Sequence, residues 1–167
     1  MNMKHLIIAA LAPWLMISNV QAAGSHQGGH QGERHGIIRM STLAGQPGHP
    51  DDVDRTIMVS AEDAMIFYVN EQLKVEDGET IRFVVTNDGS IEHEFAIGTK
   101  EEHAEHGAMM MKNPGMDHGP AGNAMAMQPG ETKELIWTFE KAWQVQVACN
   151  IPGHYEAGMH KQVVFSE

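Results

Sequence analysis

Hydrophobic residues change their pattern several times along the chain. They first form one apolar run, residues 6–17, which Lys4 precedes and small residues follow. This order is typical of a secretory signal peptide. A membrane-spanning helix needs about 20 apolar residues, and Pro13 interrupts this shorter run. We therefore predict that residues 1–23 are a cleaved signal peptide, which in a Gram-negative cell delivers the protein to the periplasm.

The segment that follows, residues 24–54, shows little apolar periodicity and is rich in Gly, His, Gln, Ser and Asp. This composition predicts a flexible arm without a packed core. Two interpretations of the arm stay open: a solvated linker, or weak metal capture, because histidines in a Gly-rich tract are a metal-binding composition. Its histidines are His26, His30, His35 and His49.

From residue 55 onward, short stretches alternate hydrophobic and polar positions, and turn residues separate them. In residues 80–86 the alternation places Ile81, Phe83 and Val85 on one side. The predicted strands are residues 56–60, 64–69, 73–75, 80–86, 93–97, 135–139, 144–148 and 162–165. Such strands at regular spacing predict one all-β sandwich over residues 55–167. No convincing helix pattern interrupts them.

A segment of about thirty residues, 98–130, lacks any strand signal and is predicted to be a long loop inserted in the domain. A loop of this length is usually functional or disordered. Its glycines and prolines argue against methionines that fill gaps in a core. Because thioethers select Cu(I), we interpret the segment as a secondary copper-binding loop. The candidate ligands are His103, His106, Met109, Met110, Met111, Met116, His118, Met125 and Met127.

The amino-acid composition excludes several classes of partner and indicates which metal the protein binds. The net charge of −11 argues against nucleic acid and against an anionic membrane surface as partners. One cysteine excludes an internal disulfide and a zinc site built from several cysteines. The 13 methionines and 11 histidines are unusually many for 167 residues. Together with the single cysteine they form a soft-to-borderline ligand set, which points to copper.

The strongest motif is a C-x4-H-x4-M string near the C-terminus, formed by Cys149, His154 and Met159. A Pro-Gly pair between the first two residues predicts a tight turn that brings the three side chains together. A blue-copper site needs two histidines, one cysteine and a weak axial methionine. The second histidine must come from another strand, and His93, just before the apolar Phe95, is the best candidate.

The C-x4-H-x4-M string and the sequence VVTNDGSIEHEF at residues 84–95 resemble the cupredoxins, the plastocyanin and azurin family. The resemblance implies a Greek-key β-sandwich of about eight strands with one type 1 copper. By position, it implies His93, Cys149, His154 and axial Met159 as ligands. Many family members have Asn after the first histidine, where this chain has Glu94. The resemblance therefore leaves open whether a side chain links the two ligand loops here.

Among cupredoxins, the chain resembles the exported Met/His-rich proteins that serve copper tolerance in Gram-negative bacteria. We expect a monomer that binds copper ions, meets a periplasmic redox or copper-trafficking protein, and is not an enzyme. The rival hypothesis is a soluble electron carrier that feeds an oxidase or a reductase. A multicopper oxidase is disfavoured, since one domain lacks the histidine pairs of an oxygen-reducing cluster. A weak cuprous-oxidase activity of the Met-rich loop stays open.

Overall fold

The computed structural model describes residues 42–113 and 122–167. In this part of the chain, one helix and short strands make up the regular structure, together with a 3-10 turn at Pro50–Asp52. In chain order the elements are β1 (Gly45–Pro47), β2 (Arg55–Glu62), β3 (Ile66–Val69), β4 (Lys74–Val75), β5 (Thr80–Asn87), β6 (His93–Thr99), α1 (Lys100–Lys112), β7 (Ala124–Met127), β8 (Thr132–Phe139), β9 (Val145–Ala148), β10 (His160–Gln162) and β11 (Val164–Phe165).

The larger sheet has five strands in the order β1-β8-β5-β2-β3. Its central strand β5 pairs in parallel with β2 and antiparallel with β8. The predicted alternation in this strand is confirmed, because Ile81, Phe83 and Val85 are all fully buried. Since successive side chains of a strand point to opposite faces, this face of the larger sheet forms one wall of the core.

The second sheet has four strands in the order β10-β9-β6-β7. Every residue of β6 and β9 is buried. Phe95 of this sheet lies against Phe83 and Phe67 of the larger one, with ring centroids 5.2 and 5.4 Å apart. Residues of both sheets share one hydrophobic core, so the prediction of an all-β sandwich is confirmed. A short parallel pair, β4 with β11, completes the strand pairing in the described ranges.

Helix α1 corrects the prediction that residues 98–130 form a loop without regular structure. The helix begins with a capping box: the Glu102 N–H donates to the Thr99 hydroxyl, and the Thr99 N–H donates to the Glu102 carboxylate. These two bonds satisfy backbone donors that a helix start otherwise leaves unpaired. Further along the same segment, β7 pairs with β6 through an alternating Ala-Met-Ala-Met sequence. Residues 114–121 lie outside the described part of the chain.

The last part of the predicted arm also differs from the prediction, because it belongs to the sandwich. Strand β1 pairs with β8, and Ala44 just before it is fully buried. The Trp137 indole N–H donates to the Ala44 carbonyl at 3.1 Å. Backbone pairing of this kind needs no apolar alternation, which explains why composition alone predicted a flexible segment. His26, His30 and His35 lie outside the described residues, and His49 is exposed beside the 3-10 turn.

No helix within residues 42–113 and 122–167 is long and apolar enough to cross a membrane.

Candidate metal centre

His93 begins β6 and is fully buried. Its Nε2 lies 3.1 Å from a carboxylate oxygen of Asp63. A carboxylate accepts hydrogen bonds, so this contact favours the tautomer with the ring proton on Nε2 and the lone pair on Nδ1. That Nδ1 is buried and has no hydrogen-bond partner among the described residues. A buried polar atom without a partner is costly, and an imidazole nitrogen with an available lone pair could bind a metal ion.

Cys149 follows β9 and is fully buried. Its Sγ lies 3.2 Å from Nδ1 of His154 and accepts the Glu94 backbone N–H at 3.3 Å. Burial raises the pKa of the Cys149 thiol to about 12, although the Glu94 N–H favours the thiolate. The sulfur therefore carries a proton at neutral pH, and a soft cation that binds here displaces it.

The segment between Cys149 and Met159 folds back on itself through backbone hydrogen bonds. The Met159 N–H donates to the His154 carbonyl, and the Cys149 N–H donates to the Met159 carbonyl, both at 3.0 Å. Gly153 and Gly158 have φ values of 90° and 106°, a region that other residues rarely adopt. The predicted tight loop is therefore present, with the Met159 side chain fully buried.

The ligand atoms of His93, Cys149 and His154 all lie within 4.8 Å of one another, so these residues could hold one metal ion. Among the described residues, His93, Cys149 and His154 form the group of three or more His, Cys, Asp or Glu residues whose ligand atoms lie this close together. Burial lowers the pKa of His154, and the neighbouring His93 lowers it further. Both effects favour the neutral imidazole that metals bind. Two imidazoles and one thiolate fit type 1 copper.

Glu94 joins the two ligand segments, which the resemblance left open. One oxygen of its buried carboxylate accepts both the backbone N–H and the side-chain amide of Asn150, each at 2.9 Å. The other oxygen lies 3.0 Å from Nε2 of His106 in α1. Because its own N–H also reaches Cys149, Glu94 ties β6, the cysteine loop and the helix together.

Residues 55–166 match the family described as copper binding proteins, plastocyanin/azurin family. The chain belongs to this family. The prediction of a cupredoxin, with copper as its cofactor, is confirmed.

Curated relatives of this cupredoxin carry one name. It is similar to the copper-resistant cuproprotein CopI of Vibrio cholerae, with 34% identity over 170 residues that cover 96% of this chain and 97% of the relative. It is 37% identical over 162 residues to the copper-resistant cuproprotein CopI of Rubrivivax gelatinosus, and the match covers 97% of this chain and 96% of the relative. The likeness therefore extends over nearly the whole length of each protein.

Solved cupredoxin structures resemble this chain at lower identity. Reduced auracyanin from Roseiflexus castenholzii superposes with a TM-score of 0.59 at 19% identity, covering 69% of this chain and 99% of that one. Auracyanin B gives the same TM-score and identity over 74% of this chain and 97% of that one. These likenesses show that the sandwich is the cupredoxin fold.

The secondary copper candidates of this cupredoxin divide by their surroundings. His103, Met110 and Met127 are buried, and His103 Nε2 lies 3.2 Å from the Gln146 carbonyl oxygen. His106 contacts Glu94, as described above. His106 is partly exposed as well, and so are Met109 and Met125, whereas Met111 is well exposed. Met116 and His118 lie outside the described residues.

Asp63 is a site residue that the sequence analysis missed. One of its carboxylate oxygens reaches His93, and the other accepts the Ser90 backbone N–H at 2.8 Å and the Ser90 hydroxyl. These bonds, the hydroxyl first, lower the pKa of Asp63 to about 2. Asp63 stands 30 residues before His93, in the turn between β2 and β3, where no sequence motif marks it.

We expect His103 to weaken the fold in acid. Burial lowers its pKa, so below an unfolded pKa of about 6.5 the unfolded chain binds a proton that the folded chain does not. The free energy of unfolding then decreases as the pH is lowered, by up to about 1.4 kcal/mol per pH unit from this group. Urea titrations of the apoprotein between pH 7 and pH 5 should show a shallower decline for His103→Gln. Parallel declines would contradict the assignment.

Met159→Gln should retain copper and lower its reduction potential. The resemblance implies Met159 as the axial ligand. An axial thioether is a weak ligand that mainly tunes the potential, and a harder oxygen donor favours Cu(II). For a one-electron couple, each tenfold gain in preference for Cu(II) lowers the potential by about 59 mV. Redox titration of the wild type and the variant measures the shift. Complete loss of copper would instead mean that Met159 is needed to build the site.

Proposed function

We propose that this cupredoxin is an exported protein that binds one type 1 copper and serves copper tolerance. The observation that carries the proposal is the convergence of the buried His93 and Cys149 with the partly exposed His154. The copper-resistant cuproproteins at 34% and 37% identity support the physiological role, because the match spans nearly the full length of both chains.

In this proposal His93, Cys149 and His154 would hold the copper most strongly, and Met159 would be the weak fourth ligand. When bound, copper supplies one-electron exchange between Cu(I) and Cu(II). The chain holds the ligands in place through β6, the folded loop and the Glu94 hydrogen bonds. The ligands are buried apart from the partly exposed His154. This edge is where an ion or a redox partner approaches the site.

We propose that the exposed thioethers of the Met/His segment collect additional Cu(I). Met111 is 69% exposed at the end of α1, and Met109 is partly exposed. Thioethers stay unprotonated at all pH values, so this capture should persist in acid. His103 and His106 form hydrogen bonds within the fold, Met127 lies in the hydrophobic core and Met110 is buried, which favours a structural role for them.

The additional Cu(I) is testable by titration against a competing chelator. A Met109→Leu, Met111→Leu double variant should bind less Cu(I) than the wild type and keep the visible spectrum of the type 1 site. Met58→Leu is a matched control, because Met58 is 53% exposed on β2, outside the segment. Equal Cu(I) binding by the double variant and the wild type would mean that these two methionines do not bind Cu(I).

Export is also part of the proposal, since residues 1–23 have the pattern of a cleaved signal peptide. The mass of the protein recovered from the periplasm should correspond to a chain that starts near residue 24. A full-length chain recovered from the cytoplasm would contradict it.

Growth of a deletion strain in graded copper tests the tolerance role. We expect copper sensitivity that the wild-type gene restores and the Cys149→Ser gene does not. An unchanged copper response combined with a respiratory defect at ordinary copper would favour the electron-carrier hypothesis instead.

A further inference from the structure

The side chain of His93 contacts a residue that comes from a distant part of the chain. Asp63 lies between β2 and β3, and its Oδ1 meets Nε2 of His93 at 3.1 Å. The ring itself is fully buried, whereas the Asp63 side chain is 39% exposed. The imidazole therefore lies between a carboxylate at the protein surface and the ligand atoms of Cys149 and His154.

The carboxylate is fixed in this position by the turn that leads into β6. Its second oxygen accepts the Ser90 N–H at 2.8 Å and the Ser90 hydroxyl. The side chain of Asn87 stabilises this turn, because it accepts the Gly89 N–H and donates to the Ile91 carbonyl. One oxygen of Asp63 thus binds the turn and the other binds the ring.

Gly89 makes this close approach possible. A Cβ built on Gly89 would lie 2.1 Å from Oδ1 of Asp63 and 3.1 Å from Nε2 of His93. Any side chain at position 89 would therefore push the carboxylate away from the ring. The turn, the carboxylate and the histidine are packed as one unit.

We propose that Asp63 is a positioning residue. It orients the His93 ring and strengthens the binding of Cu(II) by Nδ1 of His93. The proposal rests on the proposed function only in taking His93 as a copper ligand. A carboxylate that accepts the distal N–H of a ligand histidine fixes its tautomer and raises its basicity. An anion also stabilises the doubly charged ion more than the singly charged one. Asp63 therefore lowers the reduction potential of the site.

Two variants and a matched control test the role on copper-loaded protein. Asp63→Asn keeps the shape of the side chain and removes its charge, and Gly89→Ala displaces the carboxylate without changing it. Asp88→Asn removes a charge from the same turn, where Asp88 contacts Ser60 rather than His93. Cu(II) affinity by chelator competition and the reduction potential by redox titration are the measurements.

We expect Asp63→Asn and Gly89→Ala to lower Cu(II) affinity about tenfold with little change for Cu(I). For a one-electron couple this raises the potential by about 59 mV. Asp88→Asn should shift it by less than a third of that. Unchanged values in both test variants, or an equal shift in Asp88→Asn, would overturn the proposal, since the effect would then be absent or a general effect of surface charge.

The histidine tautomer in the copper-free protein gives an independent readout. Nitrogen NMR of His93 should show the proton on Nε2 in the wild type and a mixture of tautomers in Asp63→Ala. The same mixture in the wild type would overturn the positioning role. Absence of copper at Cys149 in the wild type would instead overturn the proposed function, and the tautomer measurement would still decide the role of Asp63.

Discussion

Replacement of Cys149 by serine should abolish the intense visible absorption that we expect of the copper-loaded protein. The band arises from charge transfer from a cysteine thiolate to Cu(II), and a serine hydroxyl offers no soft donor for it. Cys149 is the single cysteine in the chain, so no other thiolate can replace it. The absorption spectrum, recorded together with the copper content, measures the loss.

Circular dichroism of the same variant is the control, because a folded protein without the band separates loss of the ligand from loss of the fold. Copper bound elsewhere would leave the metal content measurable while the intense band is missing. A Cys149→Ser protein that keeps its colour would contradict the assignment of the thiolate ligand.

Glu94→Ala has the second largest expected effect, on both the fold and the copper site. The substitution leaves two buried Asn150 donors without their acceptor and removes the contact with His106. Each buried donor without a partner costs about 1–3 kcal/mol, so we expect the free energy of unfolding of the apoprotein to fall by about 3 kcal/mol. Urea titration measures this loss, and the visible band should weaken because the side-chain link between the two ligand segments is removed.

Glu94→Gln is the matched variant, because its amide oxygen can still accept the Asn150 donors while the charge is removed. It should lose less stability than Glu94→Ala and keep the copper band. If Glu94→Ala were as stable as the wild type, Glu94 would not join the two segments in solution.

The sequence was most informative where local spacing determines the structure. Alternation predicted the buried face formed by Ile81, Phe83 and Val85, since one strand of a two-layer fold has one core side. The C-x4-H-x4-M spacing predicted a folded loop from Cys149 to Met159, because backbone bonds within eleven residues can close it.

Helix α1 was not predicted, although Thr99 and Glu102 have the spacing of a capping box in the sequence. Its buried positions are His103 and Met110, which give almost no apolar stripe, and the histidines and methionines suggested a metal-binding loop. A capping signal without amphipathic periodicity is weak by itself. Tertiary contacts of the helix with Glu94 and Gln146 supply what local periodicity lacks.

The roles of Asp63 and Glu94 depend on contacts between distant segments. Asp63 reaches His93 across 30 residues, and Glu94 reaches Asn150 across 56. Neither spacing is part of a local motif, so the sequence predicted the ligand types but not the carboxylates that hold them. The substitution of Glu94 for the usual asparagine was visible in the sequence, whereas its contacts with Asn150, His106 and Cys149 required the fold.

X-ray absorption at the copper edge, on protein loaded with one equivalent of copper, tests the account most directly. A copper centre at His93, Cys149 and His154 should give one short copper–sulfur bond and two copper–nitrogen bonds in the wild type, and the short sulfur bond should be lost in Cys149→Ser. A wild-type spectrum with only nitrogen and oxygen neighbours, unchanged by that substitution, would contradict a copper centre at His93, Cys149 and His154.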